Sequence, residues 1–291
     1  MTAEIKHRRG DATQLAAFTP AAGEIVVDTT NNRAVVGDGS RAGGYPAARL
    51  DESGVGFRNR LRNAAFSINQ RGVSGTVTLS AGAYGHDGVK AGAAGCSYTF
   101  ATSGIDTTIT VASGSLILPI EGALIEGGNY MLSHAGTAQA RIWQTSPAGS
   151  YVSVAGGLIA SGLTANTLTA VEFSTGTILR PQFEPGVYAT AFERRPLGVE
   201  LALCQRYFQS RLASHLALAT AATQFFGGAI ALPVTMRATP TLSSLSGGTQ
   251  TNVASDGLNT MGDSAVRYYI SSTAAGEVES YDRAFTASAE L

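Results

Sequence analysis

Apolar and polar residues alternate with a period of two along most of this chain. That is the repeat of a strand with one face buried. Thr76-Val77-Thr78-Leu79, Cys96-Ser97-Tyr98-Thr99-Phe100 and Thr107-Thr108-Ile109-Thr110-Val111 show it. Further strand-like runs lie at Tyr130-Met131-Leu132, Ala140-Arg141-Ile142-Trp143, Tyr151-Val152-Ser153-Val154 and Thr169-Ala170-Val171-Glu172-Phe173. Turns rich in Gly, Ser, Asn and Pro separate them, so the pattern predicts a mainly β chain with an antiparallel jelly-roll sandwich of about eight strands over 63–195. Ahead of it, Ile25-Val26-Val27 and Ala34-Val35-Val36 flank an Asn-rich turn and stop at Gly37-Asp38-Gly39. These residues predict a small β-hairpin module over 1–48, followed by a connector over 49–62 with a helical turn through Phe57, Arg58 and Leu61.

One helix is expected near 196–212, within a helical segment 196–213. Pro196 suits a first turn, and Leu197, Leu201, Cys204 and Phe208 recur at helical spacing. Its apolar face would pack on the sandwich or on the same helix of neighbouring copies. Strand patterns resume over 214–291 as a small β-sandwich, with runs at Phe225 to Leu232, Thr235 to Leu242, Val266 to Ile270 and Tyr281 to Thr286. The stretch Ser243 to Asp263 reads as a long polar loop.

Composition narrows the classes of function. Twenty-one acidic residues against twenty basic ones give a net charge of −1, which argues against nucleic acid as a partner. Only 14% of residues are charged, and Gly reaches 35. A surface so poor in charge favours association with identical neighbours. Cys96 and Cys204 stand far apart and read as reduced and buried. No apolar stretch is long enough to insert in a membrane and no signal-type block opens the chain, so a soluble product of the cytoplasm is expected.

Two resemblances follow from particular phrases. Arg8-Arg9-Gly10, Gly23-Glu24-Ile25, Asp28-Thr29, Arg33 and Gly37-Asp38-Gly39 together resemble the N-terminal module of many bacteriophage tail-fibre and receptor-binding proteins. That likeness implies docking to other tail proteins and trimerisation, with Lys6, Arg8, Arg9, Arg33 and Asp38 as the attachment residues. Phe66-Ser67-Ile68-Asn69-Gln70-Arg71-Gly72, Ala83-Tyr84-Gly85-His86-Asp87, Ile120-Glu121-Gly122, Gln182 to Gly186, Phe192 to Pro196 and Cys204 to Phe208 are similar to a jelly-roll domain of phage fibres, akin to carbohydrate-binding modules. Gly88-Val89-Lys90 stands where that family has a bulky residue, so a ligand contact made there elsewhere is in question here. Leu232 to Pro240 resembles the start of the small β-sandwich tips that end such fibres.

No catalytic constellation is legible. Glu121, Glu126, Asp87, Glu172 and Glu184 could be nominated as the paired carboxylates of a glycosidase, yet Glu121 and Glu184 also suit turn amides or a pair with Arg194. His134 has no evident partner, and no metal-ligand spacing or cofactor motif occurs. Sugar binding needs aromatic faces beside planar polar groups. Two sets qualify. Arg141, Trp143 and Gln144 lie at a strand end, with Arg141 and Trp143 on one face, although Trp143 could instead fill the core. Arg267, Tyr268 and Tyr269 lie in the terminal region with Tyr281, Asp256, Asn259 and Asp263 nearby, and alternation turns one of the two adjacent tyrosines inward.

The expected function is a non-enzymatic, homotrimeric tail-fibre protein of the virion that holds a host surface polysaccharide. The alternatives are a tail-associated depolymerase or lyase, and a purely structural tail-tip component.

Overall fold

A computed structural model describes residues 7–47 and 56–291. The chain divides into two compact units, Met1–Gly56 and Phe57–Leu291. It is mainly β, with two α-helices among the described residues.

The first unit comprises β1 (Arg8–Gly10), α1 (Ala12–Ala16), β2 (Ile25–Asp28), β3 (Arg33–Val36) and β4 (Tyr45–Pro46), in sheet order β1-β2-β3-β4. The expected hairpin is β2–β3, with Val26 opposite Val35. β1 adds to it in parallel. Asp11 and Gln14 cap α1 reciprocally, each side chain accepting the other's backbone N–H. The core is small: Leu15, Val26 and Val35, with Phe18 against them. Because the strands alternate, inward Val26 and Val35 leave Ile25 and Val36 on the other face, where they form one exposed row with Tyr45.

The second unit opens with β5 (Val77–Leu79), β6 (Lys90–Ser103), β7 (Asp106–Ile120), β8 (Gly128–Ala135), β9 (Ala140–Gln144), β10 (Leu158–Leu163), β11 (Thr169–Phe173) and β12 (Gly176–Pro185). Their order is β10-β8-β12-β7-β11-β9, with β6 also on β7 and β5 on β6. β12 joins the two arms of this sheet. Gly176–Ile178 pair with β7, the register then shifts at Arg180, whose φ is 50°, and Gln182–Pro185 pair with β8. Leu116, Leu118, Ile120, Val171 and Phe173 of one arm meet Tyr130, Leu132 and Phe183 of the other in a single core. Tyr151 to Val154 contributes only an isolated bridge between Val152 and Ala140, and no helix forms at Phe57 to Leu61.

The helix is shorter than its periodicity suggested. α2 spans Leu197–Gln205, and a strand begins at Phe208. Tyr207 and Phe208 are taken instead by guanidinium groups of the sandwich: Arg62 lies 3.9 Å from the Tyr207 ring and Arg71 3.6 Å from that of Phe208. Leu197 stays exposed, while Glu200 and Cys204 form the buried side of α2.

Beyond it come β13 (Phe208–Ala219), β14 (Phe225–Ala231), β15 (Thr241–Leu242), β16 (Thr249–Thr251), β17 (Val253–Thr260), β18 (Ala265–Ser272) and β19 (Gly276–Ser288). Two sheets, β13-β19-β15 with β16 also on β19, and β14-β18-β17, close on a second core around Met236, Val266, Tyr268, Ile270, Val278 and Phe285. The supposed loop Ser243 to Asp263 holds β16 and β17. β17 escapes a hydrophobicity pattern because it is an edge strand that packs only Val253 and Leu258 on the core. Conversely, the apolar stretch before Pro240 is mostly turns, and only Thr241–Leu242 pair. Glu290 binds Arg62 at 2.6 Å and Arg71 at 2.9 Å, fastening the end of this region to the start of the sandwich.

Candidate recognition surfaces

The first nominated set lies on the outer face of β9. Ile142 packs on the core while Arg141 and Trp143 face the other way, so Trp143 does not fill the core. Directly across, β11 presents Glu172 with its carboxylate buried. Its Oε2 accepts from Arg141 Nε at 3.0 Å and Trp143 Nε1 at 2.9 Å. Its Oε1 accepts from Ser115 Oγ at 2.7 Å and Tyr151 OH at 2.8 Å. Burial pushes this carboxyl up, but the four donors outweigh it and hold it below the usual carboxylate range. Arg141 also donates to the Gly149 carbonyl and stacks 4.7 Å from the Tyr151 ring. Gln144 is committed too, exchanging bonds with Thr164 and donating to Thr169 Oγ1. These polar groups hold the protein to itself.

The second set divides as alternation requires. Tyr268, 1% exposed, points into the terminal core and its OH meets Ser280 Oγ at 2.6 Å, so it leaves the candidate surface. Arg267 and Tyr269 share the outer face of β14-β18-β17. Tyr269 sits between Gly227 of β14 and Gly257 of β17, and Arg267 between Ala229 and Asn259. The ring lies across Gly257, where an added Cβ would come within 2.4 Å of the Tyr269 hydroxyl. Exposed Asn259 and Phe225, the latter 70% exposed, extend the face. Arg267 and the Tyr269 hydroxyl have no hydrogen-bond or ion-pair partner among the described residues. Tyr281 belongs to the other sheet, in register with Thr249.

In the first unit one nominated attachment residue, Asp38, builds a turn, and two, Arg8 and Arg33, pair with carboxylates. Asp38 accepts from Ser40 N, Ser40 Oγ and Arg41 N at 2.9 Å each, and the Arg41 and Ser40 bonds bring its carboxyl down to about 2. Arg33 faces Asp28 at 3.5 Å. Arg8 pairs with Glu24 at 3.4 Å and lies over Phe18. Arg9 is exposed beside Val27, and Lys6 lies outside the described residues. The exposed row Ile25–Val36–Tyr45 was not nominated, although the inward set Val26 and Val35 already implied it.

The nominated carboxylates also have partners. Glu121 accepts from Tyr207 OH at 2.8 Å and from Arg206, Asp87 from Gln70, and Glu126 binds Arg60. Glu184 pairs with Arg58 at 3.0 Å rather than with Arg194, which binds Asp106. Both His134 ring nitrogens face carbonyls, of Ala135 and Ala138. Cys96 and Cys204 are free and buried, with both thiols pushed up by burial. Among the described residues no cluster of His, Cys, Asp or Glu could hold a metal ion, and no helix is long and apolar enough to cross a membrane.

Residues 5–41 match the Major tropism determinant N-terminal domain. A tail fiber receptor-binding protein of Bordetella phage BPP-1 is 44% identical over 78 residues, a stretch covering 23% of this chain and 20% of that relative. The chain thus matches about a fifth of the relative's length. Among solved structures, the P3c and I1 variants of the Major Tropism Determinant share 27% identity over 44% of this chain and 28% of theirs. The TM-score is 0.17 in both cases, so their architecture carries no weight for the fold of this chain.

Proposed function

We propose that this chain is a tail-fibre receptor-binding protein of a bacteriophage virion, which adheres to a host surface polysaccharide through the outer face of β14-β18-β17 without cleaving it. The kinship of its N-terminal residues to the Major tropism determinant domain, and the 44% identity to a tail fiber receptor-binding protein, support the setting. The observation that carries the site is Tyr269. It is an aromatic ring between two glycines, beside an arginine with no partner among the described residues, on a three-stranded sheet. Sugars stack their C–H faces on such rings and give paired hydroxyls to planar side chains. In this reading the first unit docks to other tail proteins through its exposed apolar row and Arg9.

The reading includes a homotrimer. Among the described residues β13 pairs only with β19, and it turns Leu212, Leu216 and Leu218 outward, the last 73% exposed. An open edge with an apolar ridge favours burial against further copies, and several copies compensate for weak single-sugar contacts. Sedimentation at micromolar concentration is expected to give three chains per particle, and a monomer there would remove the trimer. On an array of bacterial lipopolysaccharides and capsules, the intact chain is expected to bind a subset and release no new reducing ends. Retention of that binding by Tyr269→Ala would move recognition elsewhere.

A further inference from the structure

A cavity of about 500 Å3 lies within the second unit, where the β6–β7 turn, residues 64–69 and the approach to α2 converge. That volume is in the range of small-molecule sites. Phe66, Phe100, Phe192 and Ile105 give it apolar walls. The charges at its border are spent on the protein. Glu193 accepts from Phe57 N and Asn59 N, Arg194 binds Asp106, and Glu200 accepts from Asn63 N and faces Arg195. Two acids and two bases leave no net charge for an ionic ligand.

His86 is the exception. It lines the cavity, is 2% exposed, and rests edge-on against Phe100 with ring centres 4.4 Å apart. Its tautomer follows from its neighbour. The buried Tyr98 hydroxyl accepts the backbone N–H of His86 at 3.1 Å and lies 3.0 Å from His86 Nδ1. The hydroxyl proton needs an acceptor, because an orphaned buried donor is costly, and Nδ1 is the one it meets among the described residues. Nδ1 therefore accepts and Nε2 carries the ring proton. Burial brings the imidazole down to about 4, so this neutral form holds at pH 7. The Nε2–H has no partner among the described residues. Arg195, also in the wall, buries an Nε–H with no acceptor.

A site with spare donors, no spare charge and aromatic walls selects a ligand that only accepts. We propose that this cavity binds a neutral acyl group, its carbonyl oxygen taking the His86 Nε2–H and its apolar part lying among Phe66, Phe100 and Phe192. The group could arrive as an acyl substituent of a glycan or as a free acyl compound. The site does not depend on the platform at Tyr269.

The test uses isotope-labelled full-length chain titrated with acetophenone and with ethylbenzene, which has the same shape without the carbonyl, while backbone amide signals are followed by NMR. Acetophenone is expected to bind in about the millimolar range, shift the signals of Phe100 and Ile105, and bind about tenfold more tightly than ethylbenzene, the worth of one buried hydrogen bond. His86→Phe should abolish that preference. Ile105→Trp, at an exposed turn position, should close the mouth to both probes with the fold intact, which keeps the test decisive if His86→Phe does not fold. N-acetylglucosamine binding where glucose does not would assign the acyl group to a glycan, and acetophenone binding alone would assign it to a free compound. Either result supports the site. Equal binding of acetophenone and ethylbenzene, benzoate binding as well as acetophenone, or no binding of either neutral probe would overturn it. Tyr269→Ala should leave the acetophenone and ethylbenzene titrations unchanged.

Discussion

Two faces of the second unit carry an arginine and an aromatic ring side by side, and they differ in what lies opposite. On β9, Arg141 and Trp143 meet the carboxylate of Glu172, which takes both of them together with Ser115 and Tyr151. On β18, Arg267 and Tyr269 are flanked by Ala229, Asn259, Gly227 and Gly257, none of which bonds them. The first face has used its polar capacity for folding. The second leaves its polar capacity unspent among the described residues, which is the feature the proposed site rests on. One cross-strand residue decides between the two, which is why residue type alone does not mark a binding site.

The largest expected effect separates the faces by stability. Glu172→Ala would leave Arg141, Trp143, Tyr151 and Ser115 without their shared acceptor, and breaking a buried charged network of this kind costs about 3 kcal/mol or more. Urea denaturation should show the unfolding free energy fall by that amount. Tyr269→Ala, half-exposed on the open sheet, should stay within about 0.5 kcal/mol of the parent. Equal losses from the two substitutions would erase the distinction.

Binding should reverse the order. Tyr269→Ala is expected to weaken glycan retention on the array by about five- to tenfold, since stacking on an aromatic is worth roughly 1–1.5 kcal/mol. Trp143→Phe keeps most of the ring but loses the Nε1–H to Glu172. It should leave glycan binding unchanged while lowering stability by about 1 kcal/mol. A binding loss in the Trp143 variant larger than in the Tyr269 variant would move the receptor site to β9.

Strand alternation is a local property, so the β class is legible in the sequence, as is the placing of Tyr268 and Tyr269 on opposite faces and of Arg141 and Trp143 on one face; which tyrosine turns inward is not. Partners across strands were not legible. Nothing near Trp143 in sequence announces Glu172, twenty-nine residues on, and nothing near Tyr269 announces that Gly227 and Gly257 flank it. β17 was hidden by its own polarity, for an edge strand can pair with half its residues facing water. The helix was overread because Phe208 continued its period, whereas the capture of Tyr207 and Phe208 by Arg62 and Arg71, from more than a hundred residues earlier, ends it. The partners of the N-terminal attachment residues are equally illegible in the sequence: Asp38 is spent on its own turn, and Arg8 and Arg33 on Glu24 and Asp28.

A smaller effect should follow pH. The Glu172 carboxyl is held below its usual range in the folded protein, so the unfolded chain binds a proton first as pH falls. The stability contributed by this cluster is complete above the unfolded value of about 4.3 and is lost as pH descends through the lower folded value. Between about pH 5 and pH 3 the thermal midpoint of the parent should therefore fall more steeply than that of Glu172→Gln, which has no such proton to take up. Parallel slopes would mean that the carboxylate is not held by its four donors.

The finest distinction lies at Gly257, whose backbone tolerates a side chain but whose neighbour does not. A Cβ there would come within 2.4 Å of the Tyr269 hydroxyl and 2.5 Å of its ring. The ring is half-exposed, so it can swing aside at little cost to the fold. Gly257→Ala should accordingly keep the parent's denaturation midpoint within about 0.5 kcal/mol and weaken glycan retention by roughly threefold, which corresponds to about 0.6 kcal/mol. Glycine at this position would then be explained by the place it leaves for the tyrosine rather than by any turn. If Gly257→Ala bound as well as the parent while Tyr269→Ala did not, the tyrosine would act through its hydroxyl and not through the position of its ring across the glycine. The pair Tyr269→Phe and Gly257→Ala would then divide the two contributions.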